Sequence, residues 1–221
     1  MKKTIVAIYT GKGLADPLQK VINATLPDFR LISLIDDNII GECVKNGGVS
    51  QETEDRLMAY YRCAEEMGAD VILNTCSSVG DVVYKARKTM KTPIVRIDEA
   101  MAQLAVRQFS RIAVMATLPT TLEPSMRLVQ IEADKIGKKV EVVNGLAEGA
   151  FDALGAGHPE QHDAILKETV MRLASKEKVE CILLAQGSMA RMEQALRDAV
   201  PGVAVYASPQ LCADAIKEMY A

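Results

Sequence analysis

At 221 residues, with 49% hydrophobic and 25% charged side chains, the chain has enough apolar material for one large domain or two small ones, and its composition is not that of a disordered segment. A net charge of −3 without a run of like charges, and only 4% aromatic residues, argue against a phosphate-binding basic face or a base-stacking surface, so no nucleic-acid partner is expected. Nowhere do about 18 apolar residues run together, and the opening MKKTIVAIYTGKGLAD is apolar over too short a span for a signal peptide; no membrane partner and a cytoplasmic location are expected.

TIVAIY (residues 4–9) has the length and β-branched content of a buried strand. The TGKG that follows, opened by Thr10, lacks the spacing of a P-loop or of G-x-G-x-x-G and reads as a tight turn. RLISLI (30–35) is a second strand. Gln51 to Met67 sets Leu57, Met58, Tyr61, Cys63 and Met67 against Glu52, Glu54, Asp55 and Glu65, which predicts a helix with one buried face and places Cys63 in the core.

VILNT (71–75) is the next strand, and Val79 to Met90 reads as a helix, so Cys76 falls on the turn between them with hydroxyls at Ser77 and Ser78. PIVRI (93–97) and RIAVMA (111–116) are strands. Thr120 stands three residues before Glu123, a capping-box spacing, ahead of a helix that Gly137 closes as a C-cap. VEVV (140–143) follows. His158 and His162 flank a proline and are expected on a surface loop before a helix over Asp163 to Lys176. CILLA (181–185) and VAVYA (203–207) complete the strands, and Pro209 to Tyr220 forms a last helix.

Strands alternating with helices predict an α/β protein with parallel sheets, whose ligands bind beyond the carboxyl ends of the strands. There is also an internal echo: MGADVILNTCSSVGDV and EKVECILLAQGSMARM align without gaps, pairing Val71-Ile72-Leu73 with Cys181-Ile182-Leu183 and Cys76 with Gln186. The echo predicts two pseudo-symmetric lobes, residues 1–97, with the helix at 209–221 packing back, and residues 98–208, each a parallel sheet flanked by helices, with a ligand cleft between them. The five cysteines include no C-x-x-C pair, so neither a disulfide framework nor a zinc site is indicated. Cys181 reads as a core residue, and Cys76 alone could be one as well.

The residues also carry a resemblance. NTCSS at 74–78, the Ala-Thr-x-x-Thr pattern within VMATLPTT (Ala116, Thr117 and Thr120) and LLAQGSM at 183–189 are similar to the aspartate/glutamate/hydantoin racemase superfamily, which includes arylmalonate decarboxylase and maleate isomerase, and the match covers nearly the whole chain. The resemblance implies two lobes, no cofactor, a small carboxylate-bearing substrate and a homodimer. It also implies two cysteines, one for each face of the substrate. Cys76 matches the first, whereas Gln186, followed by Gly187 and Ser188, stands where the family carries Leu-Gly-Cys and a small residue.

Removing a proton α to a carboxylate creates an enolate that needs donors already in place, and backbone N–H groups at helix starts and nearby hydroxyls supply them. Thr10, Ser77, Ser78, Thr117, Thr120, Gly187 and Ser188 are the candidates. A thiol at the same helix start is favoured as thiolate, below the free-cysteine pKa of about 8.5. Gln186 can hydrogen-bond but cannot act as a base, so the expectation is one-base chemistry by Cys76: isomerisation, decarboxylation ending in protonation, or racemisation. Two alternatives stand beside it. One is a hydrolase with Cys76 as nucleophile, which requires His158 or His162; the other is a binding protein for small carboxylates that has lost the chemistry. Arg96, Asp98, Arg127 and Arg191 could recognise a second carboxylate or serve structural and solvated roles.

Overall fold

The computed structural model describes residues 2–221, and they divide into two compact units: the residues up to Ala100 together with Pro209–Ala221, and Met101–Ser208. All eight predicted strands are present: β1 (Lys3–Tyr9), β2 (Phe29–Ile35), β3 (Val71–Asn74) and β4 (Ile94–Arg96) in the first unit, β5 (Arg111–Ala116), β6 (Glu141–Leu146), β7 (Cys181–Leu184) and β8 (Ala204–Ala207) in the second. Each set forms one parallel sheet, in the orders β2-β1-β3-β4 and β6-β5-β7-β8. The fold class is therefore α/β with two four-stranded parallel sheets. The central strands are apolar without alternation because both of their faces are covered.

In the first unit the two faces separate by residue parity. Ile5, Ala7 and Tyr9 of β1 pack with Val71 and Leu73 against α1 (Ala15–Thr25) and α10 (Ser208–Met219), which contributes Cys212, Ala213 and Ile216. Val6, Ile8 and Ile72 face α2 (Ile39–Asn46), α3 (Gln51–Glu66) and α4 (Asp81–Ala86). Alternate strand residues point to opposite faces, so two apolar layers follow from one apolar run.

The second unit repeats the plan. Ala113 and Met115 with Ile182 and Leu184 meet α8 (Pro159–Ser175) and α9 (Glu193–Ala199), with Ala150 from α7 (Ala150–Gly155), while α6 (Pro119–Lys135) packs on β5 and β6. The helix α5 (Glu99–Gln108) runs across the point at which the two units are divided.

Four expectations are corrected. Cys63 is exposed rather than in the core: Leu57, Tyr61 and Ala64 form the buried stripe of α3, and Cys63 lies about 200° round the helix from Tyr61. The helix after Cys76 is not continuous over 79–90; a 3-10 turn (Ser77–Val79) precedes the six-residue α4. Thr120 is not an N-cap, because α6 begins at Pro119 after Leu118 and no side chain caps it. Pro suits the first helical position, and the N–H groups of Thr121 and Leu122 both reach the Leu118 carbonyl. His162 is not in a surface loop: Pro159 starts α8 a turn early and carries His162 to its buried face, with no exposed area. Gly137 does close α6 in the left-handed region, at φ 65°, with the N–H of Lys138 returning to the Ala133 carbonyl.

Among the described residues, no helix is long and apolar enough to cross a membrane, and no group of three or more His, Cys, Asp or Glu is placed to hold a metal ion.

Candidate active site

In each sheet the strand order reverses beside the first strand, between β1 and β3 and between β5 and β7, and such switch points open crevices at the carboxyl ends. The predicted residues collect at these ends. Thr10 leaves β1, and Cys76 follows β3 by two residues. The N–H and the hydroxyl of Thr75 both donate to the Ile8 carbonyl, at 3.2 and 2.9 Å, so the β1 pairing extends to the residue before Cys76. In the second unit Thr117 leaves β5 and Gln186 follows β7 by two residues, and the N–H of Ala185 donates to the Met115 carbonyl at 2.9 Å. Cys76 (φ −124°, ψ 118°) and Gln186 (φ −133°, ψ 141°) are both extended and each precedes a 3-10 turn, Ser77–Val79 and Gly187–Met192 respectively. The internal echo of the sequence is thus an equivalence of backbone.

Cys76 is partly exposed, while Thr10, Ser77 and Ser78 around it are buried. Its carbonyl accepts from Asn74 Nδ2 at 3.0 Å, and Asn74 Oδ1 accepts from the Tyr61 hydroxyl at 3.0 Å. Because a carbonyl can only accept, the Asn74 amide has one possible orientation. Burial pushes the Tyr61 phenol well up; the charge of Cys76 adds to this and that of Arg96 opposes it, so the ring senses both.

The other cysteines are distinguished by environment. Burial pushes the Cys43 thiol up to about 11, with a smaller push from Cys76, and the Cys181 thiol up to about 12; Cys212 is raised by burial as well. A thiol so raised is not a nucleophile near neutral pH. Only Cys76 and Cys63 of the five reach solvent, and Cys63 lies on the outer surface of α3.

Gln186 is partly exposed, and its Oε1 accepts both the Thr117 N–H (2.5 Å) and the Thr117 hydroxyl (2.9 Å). The backbone donor fixes that oxygen, so Nε2 and its two hydrogens point the other way. Thr120 Oγ1 is enclosed and has no partner, because the N-cap role that would have used it is not formed. Gly187 is half-buried and Ser188 is exposed. Asn74 and Tyr61 were not legible as site residues, since Tyr61 reaches the turn only through the packing of α3 on the sheet.

Three of the charged candidates are held by protein partners. Arg96 and Asp98 form a buried pair, and Arg191 forks onto Asp163 at 2.8 and 2.5 Å. The family model for Asp/Glu/hydantoin racemases matches residues 10–216. The chain belongs to that family. Solved racemase structures share its fold at low identity: a glutamate racemase from Bacillus anthracis (TM-score 0.81, 12% identity, 99% of this chain and 82% of that one), an allantoin racemase from Klebsiella pneumoniae (0.69, 16%, 99% and 87%) and an aspartate racemase from Picrophilus torridus (0.69, 14%, 98% and 94%). No curated protein matches the chain significantly.

Proposed function

We propose that the protein is a cofactor-independent enzyme of the racemase family that moves a proton α to the carboxylate of a small acid, with Cys76 as its acid–base group and Gln186 as a hydrogen-bond donor in place of a second thiol. The observation that carries this reading is the pinned amide of Gln186: a group held by Thr117 through its oxygen presents only N–H donors, and an amide has no basic lone pair to take a proton.

The chemistry then runs from one side. The Cys76 thiolate takes the α-proton, the C–H electron pair enters the enolate, and the thiol then delivers a proton on the same face, to another atom of the delocalised anion in an isomerisation or, after exchange with solvent, to the same carbon with configuration retained. In the decarboxylating variant the carbon–carbon bond breaks, CO2 leaves, and Cys76 delivers its proton to the carbanion. In either case the hydroxyls of Thr10, Ser77, Ser78 and Thr120, the N–H groups of Gly187 and Ser188, and Gln186 Nε2 are the donors assigned to the substrate's oxygens, while the one O–H of Thr117 is used in holding Gln186 Oε1.

The Cys-His hydrolase alternative loses its support, because His162 is sealed in the core with Nδ1 2.9 Å from Asp163 Oδ1, and His158 is an exposed helix-end residue. The test is a panel of small chiral acids in deuterium oxide, with α-deuteration and configuration read separately. Deuteration with retained configuration, abolished in Cys76→Ser, is the expected result. Full deuteration in Cys76→Ser, or tight calorimetric binding with no exchange, would overturn it, the latter in favour of a binding protein.

A further inference from the structure

The segment that carries Cys76 rests on a buried guanidinium. Arg96, the last residue of β4, is fully buried. Its Nε and Nη2 donate to Asp98 Oδ1 and Oδ2, both at 3.0 Å, and its Nη1 lies 3.6 Å from Asp81 Oδ1, close enough for an ion pair but without a hydrogen bond. The Tyr84 ring lies over it, 5.4 Å from Cζ to centroid.

What this cation touches is Gly80. A Cβ placed there would stand 2.4 Å from Cζ and Nη2 and 2.8 Å from Nε. Gly80 has φ −59° and ψ −29°, values open to any residue, so glycine is required for space and not for conformation. The clash could not be relieved cheaply, because the fork onto Asp98 holds the guanidinium in place. Gly80 in turn closes the 3-10 turn, its N–H donating to the Ser77 carbonyl at 3.0 Å. The span from Cys76 to Asp81 is thereby fixed at two ends, by Asn74 on the Cys76 carbonyl and by Arg96 beneath Gly80 and beside Asp81.

A buried charge is costly to desolvate, and an apolar residue at the end of an edge strand would fill the same space more cheaply. We propose that Arg96 is a positioning residue for Cys76: its guanidinium sets the level of the Ser77–Gly80 turn and thereby the place of the thiol. The inference rests on the reading of Cys76 as the reactive thiol, but it can be tested without turnover.

The measurement is the rate of iodoacetamide alkylation at Cys76 relative to the exposed Cys63 in the same molecule, resolved by peptide mass spectrometry. Cys63 serves as the internal reference for general loosening. Arg96→Lys and Gly80→Ala should each change the Cys76:Cys63 ratio by about fivefold or more, and the double variant should change it no further than the larger single effect, since both act through one contact. Should either single variant fail to fold, Asp81→Asn, which removes only the partly exposed partner, should shift the ratio in the same direction by a smaller factor. Ratios within twofold of the wild type, with only the melting temperature lowered, would make the pair a structural staple and overturn the proposal. Additive single effects would overturn it too. Failure of the catalytic reading would instead appear as activity surviving in Cys76→Ser, whatever the alkylation ratios.

Discussion

Asn74 and Gln186 show how single amides order the turns that follow β3 and β7. Asn74 is 1% exposed and satisfies three groups at once: its own oxygen, the Tyr61 hydroxyl and the Cys76 carbonyl. Asn74→Ala leaves the phenol without a partner, at about 1–3 kcal/mol for a buried orphan, and leaves the Cys76 carbonyl with only the longer bond from the Val79 N–H, at 3.4 Å. It should lower both the unfolding midpoint and the Cys76-dependent rate, whereas Tyr61→Phe, which removes one hydroxyl and keeps the hook on Cys76, should lower mainly the midpoint. Equal loss of rate in both variants would mean that the Asn74–Cys76 bond has no positioning role.

For Gln186, the sharper experiment adds a thiol. Gln186→Cys places a second acid–base group at the backbone position equivalent to Cys76, so a substrate that is deuterated with retention by the wild type should lose configuration in the variant. The readout is chiral chromatography of the deuterated product, and retention in the variant would sink the assignment of Gln186 to the second face.

At the level of elements, the strands were legible and the helix starts less so. A central parallel strand must be apolar on both faces: TIVAIY, RIAVMA and CILLA carry that signature in five adjacent residues and VILNT in three, whereas the edge runs RLISLI, PIVRI and VEVV are each interrupted by a polar or charged residue. Helix starts depend on which of two competing signals wins. In α6 the Thr120–Glu123 spacing competes with Pro119, and the proline's preset φ decides; in α8, Pro159 again begins the helix ahead of the apolar pattern. Cys76 could be found because strand-to-helix turns are few, but Arg96 could not, since nothing local distinguishes a buried arginine from a surface one.

One carboxylate ties elements together in a way that pH should expose. Glu180, just before β7, accepts the N–H groups of Ser110 (2.7 Å) and Arg111 (2.9 Å) at the start of β5, and these donors hold its carboxyl below the usual range. A carboxyl depressed in the native state stabilises above its unfolded pKa of about 4.3, and that contribution is lost as pH falls through the native value. Glu180→Gln should therefore melt earlier than the wild type at pH 7, yet lose less on acidification from about pH 5 to pH 3. Parallel melting curves across that window would show that the two N–H groups do not distinguish the carboxylate from the amide.

At the scale of the whole molecule, chain order and folding unit do not coincide. The first unit is assembled from the two ends of the chain, with α10 returning after the entire second unit to cover β1 and β3. Cys212, Ala213 and Ile216 are fully buried there; Lys3 Nζ lies 3.8 Å from the centroid of the Tyr220 ring, and the Tyr220 hydroxyl donates to the Asp70 carbonyl at 2.8 Å. Burying such side chains contributes about 1.5–3 kcal/mol for each large aliphatic one, and the loss of α10 would also uncover Ile5, Ala7 and Leu73. Against a typical stability of 5–15 kcal/mol, the sum is enough to unfold the unit. A chain ended after Ala207 should thus lose the cooperative unfolding of the first unit, while the second, one of whose apolar clusters runs from Ala113 to Ala207 and is untouched by the cut, retains its own. Hydrogen exchange followed by mass spectrometry distinguishes the cases: protection should vanish in β1 and β3 and persist in β5 and β7. Uniform loss would mean that the second unit cannot stand without the first, and unchanged protection in β1 would mean that α10 only covers a sheet already stable.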